Sequence, residues 1–296
     1  MEINIYKDRS LTACFHEAYQ LIVKNIWTLL KRTWTAALPV AVLCAITFWF
    51  RLPDKALHDW GQSNAITSWA IQTTVYVALL AASVVWGARI WQLFNGQAFR
   101  PTLWRMLKWN VIMAVIGFII FFLAGMVLGY CTAAAAHKTM TATTAGLIET
   151  ATLTLAGLIV VALAPALAFA ESCYMMDFGT GLRHPGTLLS RGFRHWGRFF
   201  TALFIGLIIV AIAALVAYLP FIVLATAQTI AQLGALDGDP LGTPAAFPAL
   251  VMAVATLSTF VFCYIGVWFY ALMAYLYGAS DTREKNKNQL KTNTEQ

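Results

Sequence analysis

The sequence predicts an all-α, polytopic membrane protein: a bundle of six transmembrane helices with amphipathic interfacial helices on the cytoplasmic side. Three observations predict it. Of the 296 residues, 60% are hydrophobic and 11% charged, where a soluble domain carries about 45–50% apolar and about 25% charged residues. The apolar excess lies in runs long enough to cross a bilayer, which takes ~20 residues per helix. The basic residues alternate between the two sides. On the side of the N-terminus lie 17 of the 20 Lys and Arg residues, and only Arg51, Lys55 and Lys138 fall opposite. The positive-inside rule then puts both termini in the cytoplasm of a multi-pass protein of the cell (inner or plasma) membrane.

Residues 10–31 read as an amphipathic helix. Leu11, Phe15, Ala18, Ile22, Ile26 and Leu29 recur at steps of three or four, the helical period. Glu17, Gln20, Lys24 and Lys31 fall mostly opposite, and Ser10 suits the N-cap. Aromatics and lysines just ahead of a span fit a helix lying along the inner leaflet. A cytoplasmic extension packed on its own protein fits equally. The first apolar run starts only at Trp34, behind a charged segment. That is not the layout of a cleavable signal peptide, so the N-terminus is expected to be retained.

The six spans follow at about 34–50, 66–90, 109–130, 143–170, 199–224 and 248–272. Pro39 sits in the first turns of span one, where a missing N–H costs least. Span two is rimmed by Trp69, Trp86 and Trp91, whose rings prefer headgroup depth. Arg89 lies at its inner end, within reach of water. Span three carries Gly125 and Gly129, a spacing that lets helices approach closely. Span four holds Glu149, Gly157 and Pro165, and span five ends near Pro220. The link at 225–247 has Asp237 and Asp239 but no Lys or Arg. The tail 280–296 is polar and of mixed charge, and disorder is expected there. One domain is expected over 1–279.

A faint threefold repeat leads the odd-numbered spans: Lys24 near Trp27, Lys108 beside Trp109, Arg194 near Trp196. Transporters contain such repeats, although interfacial anchoring alone produces the same pattern.

The net charge of +7 is accounted for by the cytoplasmic loops, and no nucleic-acid module accompanies it. The five cysteines stand alone, so neither a disulfide framework nor a zinc site is expected. No P-loop, dinucleotide fingerprint or nucleophile elbow is present. No catalytic, cofactor-binding or metal residue is therefore expected, and no cofactor. The candidate polar residues are five. Glu149, near the outer end of span four, is either a hydrated carboxylate or a proton or cation site facing the bundle. Glu171, with Asp177, is placed to pair with Arg183, Arg191 or Arg194. Arg191, Arg194 and Arg198 form a basic belt suited to anionic lipid.

Pro165, the short polar step 171–177, and the run LLSRGFR at 188–194 before an aromatic-led span suggest a family. They resemble the superfamily of six-span bacterial membrane proteins that includes the membrane domain of glycerophosphoryl diester phosphodiesterases and several families of unknown function. The match covers 163–200, and the span count and the helix before span one agree with it. The pattern holds no catalytic residue. Where such a domain accompanies an enzyme, the enzyme is a separate soluble domain. The resemblance thus implies a fold and a location, and no reaction.

Three function classes follow in order. The first is a non-catalytic membrane protein that binds lipid, anionic at the cytoplasmic face, or a protein partner or a second copy of itself. The second is a small transporter or permease. The third is an intramembrane lipid-modifying enzyme.

Overall fold

The computed structural model describes residues 4–50, 65–137, 141–179, 185–236, 244 and 246–294. Arg51, Lys55, Lys138, Arg183, Asp237 and Asp239 lie outside them. Among the described residues the chain is helical throughout, in seven helices: α1 Leu11–Trp49, α2 Ala65–Asn95, α3 Phe99–Ala136, α4 Ala142–Met176, α5 Pro185–Arg194, α6 Trp196–Leu236 and α7 Phe247–Thr294. All but the ten-residue α5 are long and apolar enough to cross a membrane. Such helices keep every backbone polar group paired within one segment, as lipid requires. Their hydroxyls are paired in the same way. Thr74, Ser83, Thr150 and Thr154 each donate to the carbonyl four residues back. Ser10 caps α1 by accepting from Ala13 N at 3.2 Å, and Thr141 caps α4 by accepting from Thr144 N at 3.2 Å.

The chain divides into two compact units. One combines Met1–Phe99 with Phe204–Gln296, and the other is Arg100–Leu203.

In the first unit α1 packs on α2 and α7. The expected interfacial helix and first span are one helix, bent at Asn25, whose φ −121° and ψ 16° leave the helical region. The Asn25 amide donates to the Leu21 carbonyl at 3.1 Å. A short polar side chain thus competes with the backbone ladder at the bend. Both arms lean on α7. Phe15 lies against Trp268 with centroids 6.0 Å apart, and Thr33 Oγ1 donates to Tyr264 OH at 3.2 Å. A straight helix would separate residues 15 and 33 by about 27 Å, whereas residues 264 and 268 are about 6 Å apart along theirs. Only a bent α1 brings both arms to one stretch of α7. The first arm buries Cys14, Ala18 and Leu21, and the second buries Ala37, Ala41 and Ala45 completely. Small residues at steps of four let backbones approach where packing, rather than water, drives association.

Every residue from Ala271 to Asp281 is buried. A helix buried all round is a core helix, so the core of this unit includes the last turns of the sixth span and the turns beyond it. Beyond the sixth span, where the composition suggests a disordered tail, α7 runs on to Thr294. Its composition is that of a solvated segment, but the residues before α1 hold it. Arg283 Nε pairs with Asp8 Oδ1 at 2.5 Å and Nη2 donates to Arg9 O at 3.0 Å. Arg9 lies over the Tyr275 ring at 5.1 Å. Gly278 meets Ile5 so closely that a Cβ there would stand 2.8 Å from the Ile5 carbonyl carbon.

In the second unit α5 packs on α4. The Gly125 and Gly129 pair of α3 makes no close approach, since a Cβ at either would meet nothing within 4 Å. Phe118, Phe121 and Met126 of the same helix are exposed, as expected of residues that meet lipid.

Candidate functional site

The polar features of the second unit gather where α4 ends and α5 begins. Pro165 lacks an N–H, so the Val161 carbonyl loses its helical donor. The neighbouring Ala162 carbonyl accepts from the Trp196 indole at 2.8 Å. One turn further on, Phe169 stacks on the His195 ring at 5.0 Å and meets Phe199 edge-on at 5.3 Å. Gly192 of α5 lies so close to Ala166 that a Cβ would stand 2.9 Å from the Ala166 Cα. Ala162, Ala166, Phe169, Gly192, His195, Trp196 and Phe199 thus form one packed corner.

Helix α4 stops at Asp177, whose N–H still donates to Cys173 O at 2.9 Å. The last carbonyls of a helix lack donors of their own. Here Arg105 of α3 supplies them. Its Nη1 donates to Tyr174 O and, at 2.9 Å, to Asp177 O, and its Nη2 to Phe178 O at 3.1 Å. The guanidinium lies over the rings of Tyr174 at 4.5 Å and Phe178 at 4.1 Å. A cation here also complements the negative end of the helix dipole. Sequence reading counted Arg105 only among the basic loop residues. Nothing in its spacing points to a partner some seventy residues on.

Arg191 turns inward, its Nη1 3.8 Å from Cys173 Sγ. Arg194 is exposed and Arg198 half-buried. Glu171 is half-buried and lines a cavity of about 350 Å³ with Trp109, Met113, Gly117 and Leu167. Asp177 Oδ1 accepts from Gly179 N at 2.9 Å. Glu149 lies on α4 twenty-two residues before Glu171, about 33 Å along the axis, near the opposite end of the helix. It is half-buried and has no hydrogen-bond or ion-pair partner among the described residues.

Sequence reading also missed hydroxyls paired between helices in the first unit. Tyr218 OH donates to Thr259 Oγ1 at 3.1 Å, beside the Thr33–Tyr264 pair already described. Tyrosine and threonine inside apolar runs look like ordinary packing, and only the contact between helices shows them paired.

Compared with known proteins, the chain matches no family model, no curated protein and no solved structure. Its fold is that of a multi-pass α-helical membrane protein.

Proposed function

We propose that this is a non-catalytic protein of the cell membrane, with both termini cytoplasmic, that binds anionic lipid through its basic face. The observation that supports this reading most is the two-sidedness of α5. Leu188 is buried and Gly192 is pressed on α4, while Arg194 stays exposed with Arg198 half-buried close behind. The apolar side of the helix is occupied, and Arg194 is exposed on another side of it. Each Lys or Arg near an anionic surface contributes about 1 kcal/mol.

Changing Arg191, Arg194 and Arg198 together to Gln tests this. The triple variant in detergent should retain less phosphatidylglycerol by native mass spectrometry than the parent. Equal retention would leave the arginines with a topological role alone. The orientation is tested by reporter fusions. Positions 98, 187 and 296 should report cytoplasm, and positions 55, 137 and 238 the outside. A cytoplasmic signal at 238 would sink the six-span arrangement.

A transporter is the second reading, favoured by the paired hydroxyls of Tyr218 and Thr259 within spans five and six, since transport needs polar groups at membrane depth. Tyr218→Phe should then abolish uptake in a transport assay while the protein still folds.

A further inference from the structure

The first unit carries an amphiphilic trough of its own. A groove of about 650 Å³ runs between the first arm of α1, α6 and α7. That volume lies within the about 300–1,000 Å³ typical of small-molecule sites. Ile209 and Ala213 of α6 and Val261 and Ile265 of α7 form its floor. All four belong to the apolar runs of spans five and six, so the medium that meets the groove is lipid.

The α1 edge has a different chemistry. His16 and Tyr19 line it and are exposed. A hydrogen-bonded row extends from His16 along the arm. Gln20 Nε2 lies 2.6 Å from His16 Nε2, and Lys24 Nζ donates to Gln20 Oε1 at 2.7 Å. Steps of four keep these three side chains on one stripe. The ammonium of Lys24 meets no carboxylate among the described residues. The result is a hydrocarbon-lined trough with one edge that is cationic and rich in donors.

We propose that this groove holds one acyl chain of an anionic phospholipid, with the headgroup phosphate met by the edge of His16, Gln20 and Lys24. The inference goes beyond the arginine-face reading, since the groove is built from other residues. Charge complementarity selects the occupant. A second copy of the chain or an apolar peptide segment would fill the floor and leave Lys24 without a counter-charge.

The test uses the full chain in phosphatidylcholine vesicles doped with phosphatidylglycerol carrying a diazirine on its acyl chain. After photolysis, labelled residues are mapped by mass spectrometry. Ile209, Val261 and Ile265 should be labelled about tenfold above Phe118 and Phe121 of α3, which are also exposed; that factor corresponds to a preference of ~1.4 kcal/mol. Ala213→Trp fills the floor and should remove the excess while α3 labelling stays unchanged. Val261→Phe serves where the tryptophan variant does not fold. Lys24→Gln should lower the preference for phosphatidylglycerol over a phosphatidylcholine probe about fivefold. Labelling no higher in the groove than on α3, or cross-links from the groove to a second copy, would overturn the proposal, as would a preference unchanged by Lys24→Gln. Loss of the groove label with the arginine-dependent retention intact fails the groove alone. The converse result fails the arginine reading and leaves the groove standing.

Discussion

The indole nitrogen of Trp196 donates to the carbonyl of Ala162 at 2.8 Å, across 34 positions of the chain. The acceptor lies three residues before Pro165, beside the carbonyl that the proline leaves without a helical donor. Trp196 also stacks on Phe200 with centroids 4.7 Å apart. Trp196→Phe keeps the stacking and removes the donor. It should cost about 1 kcal/mol, the scale of hydrogen bonds between membrane helices. Thermal unfolding in detergent reads the loss. A melting temperature equal to the parent's would show that the bond adds nothing net.

Gly192 and Gly186 share one short helix and make opposite predictions. Alanine is favoured over glycine inside a helix by about 1 kcal/mol. At Gly186 a Cβ meets nothing within 4 Å, so Gly186→Ala should be neutral or stabilising. At Gly192 the Cβ would meet the Ala166 backbone, 2.9 Å from its Cα. Backbone cannot rotate aside, and overpacking costs about 1–3 kcal/mol or more. Gly192→Ala should therefore destabilise despite its better helix propensity. Equal melting temperatures for the two variants would contradict the close approach of α5 to α4.

Arg105 serves three carbonyls at the end of α4 and lies over two rings. Lysine keeps the charge but has no planar fork. Arg105→Lys should lose about 2 kcal/mol, since hydrogen bonds to charged groups contribute about 1.5–3 kcal/mol. Limited proteolysis after residue 176 should speed up in parallel. An unchanged digestion pattern would mean that the cap does not hold this junction.

Glu149→Gln removes a charge and keeps the shape. Glu149 is half-buried without a partner among the described residues, so the substitution should leave folding, growth and any uptake unchanged. If activity were lost while thermal stability held or rose, Glu149 would be a coupling carboxylate, and transport would become the leading reading.

Much of the architecture is legible in the sequence because lipid enforces it locally. Each span must satisfy its own backbone, so a run of apolar residues is already a helix, and helices do cover 34–49, 109–130 and 199–224. The N-caps at Ser10 and Thr141 are local in the same sense, although only Ser10 was anticipated. What lies between residues distant in the chain was not legible. The bend at Asn25 depends on α7 receiving both arms of α1. The order of the segment after Ser280 depends on Asp8 and Arg9, which its own composition does not contain. Arg105 could be recognised as a cap only once α3 stood beside the end of α4. By itself the sequence determined which segments are helical and which of them suit lipid, since hydrophobicity and helix formation act within one segment. The tertiary structure alone decided which arginine caps a helix, which glycine is a contact and where an apolar groove meets a basic edge, since those depend on side chains that meet only after the helices have packed.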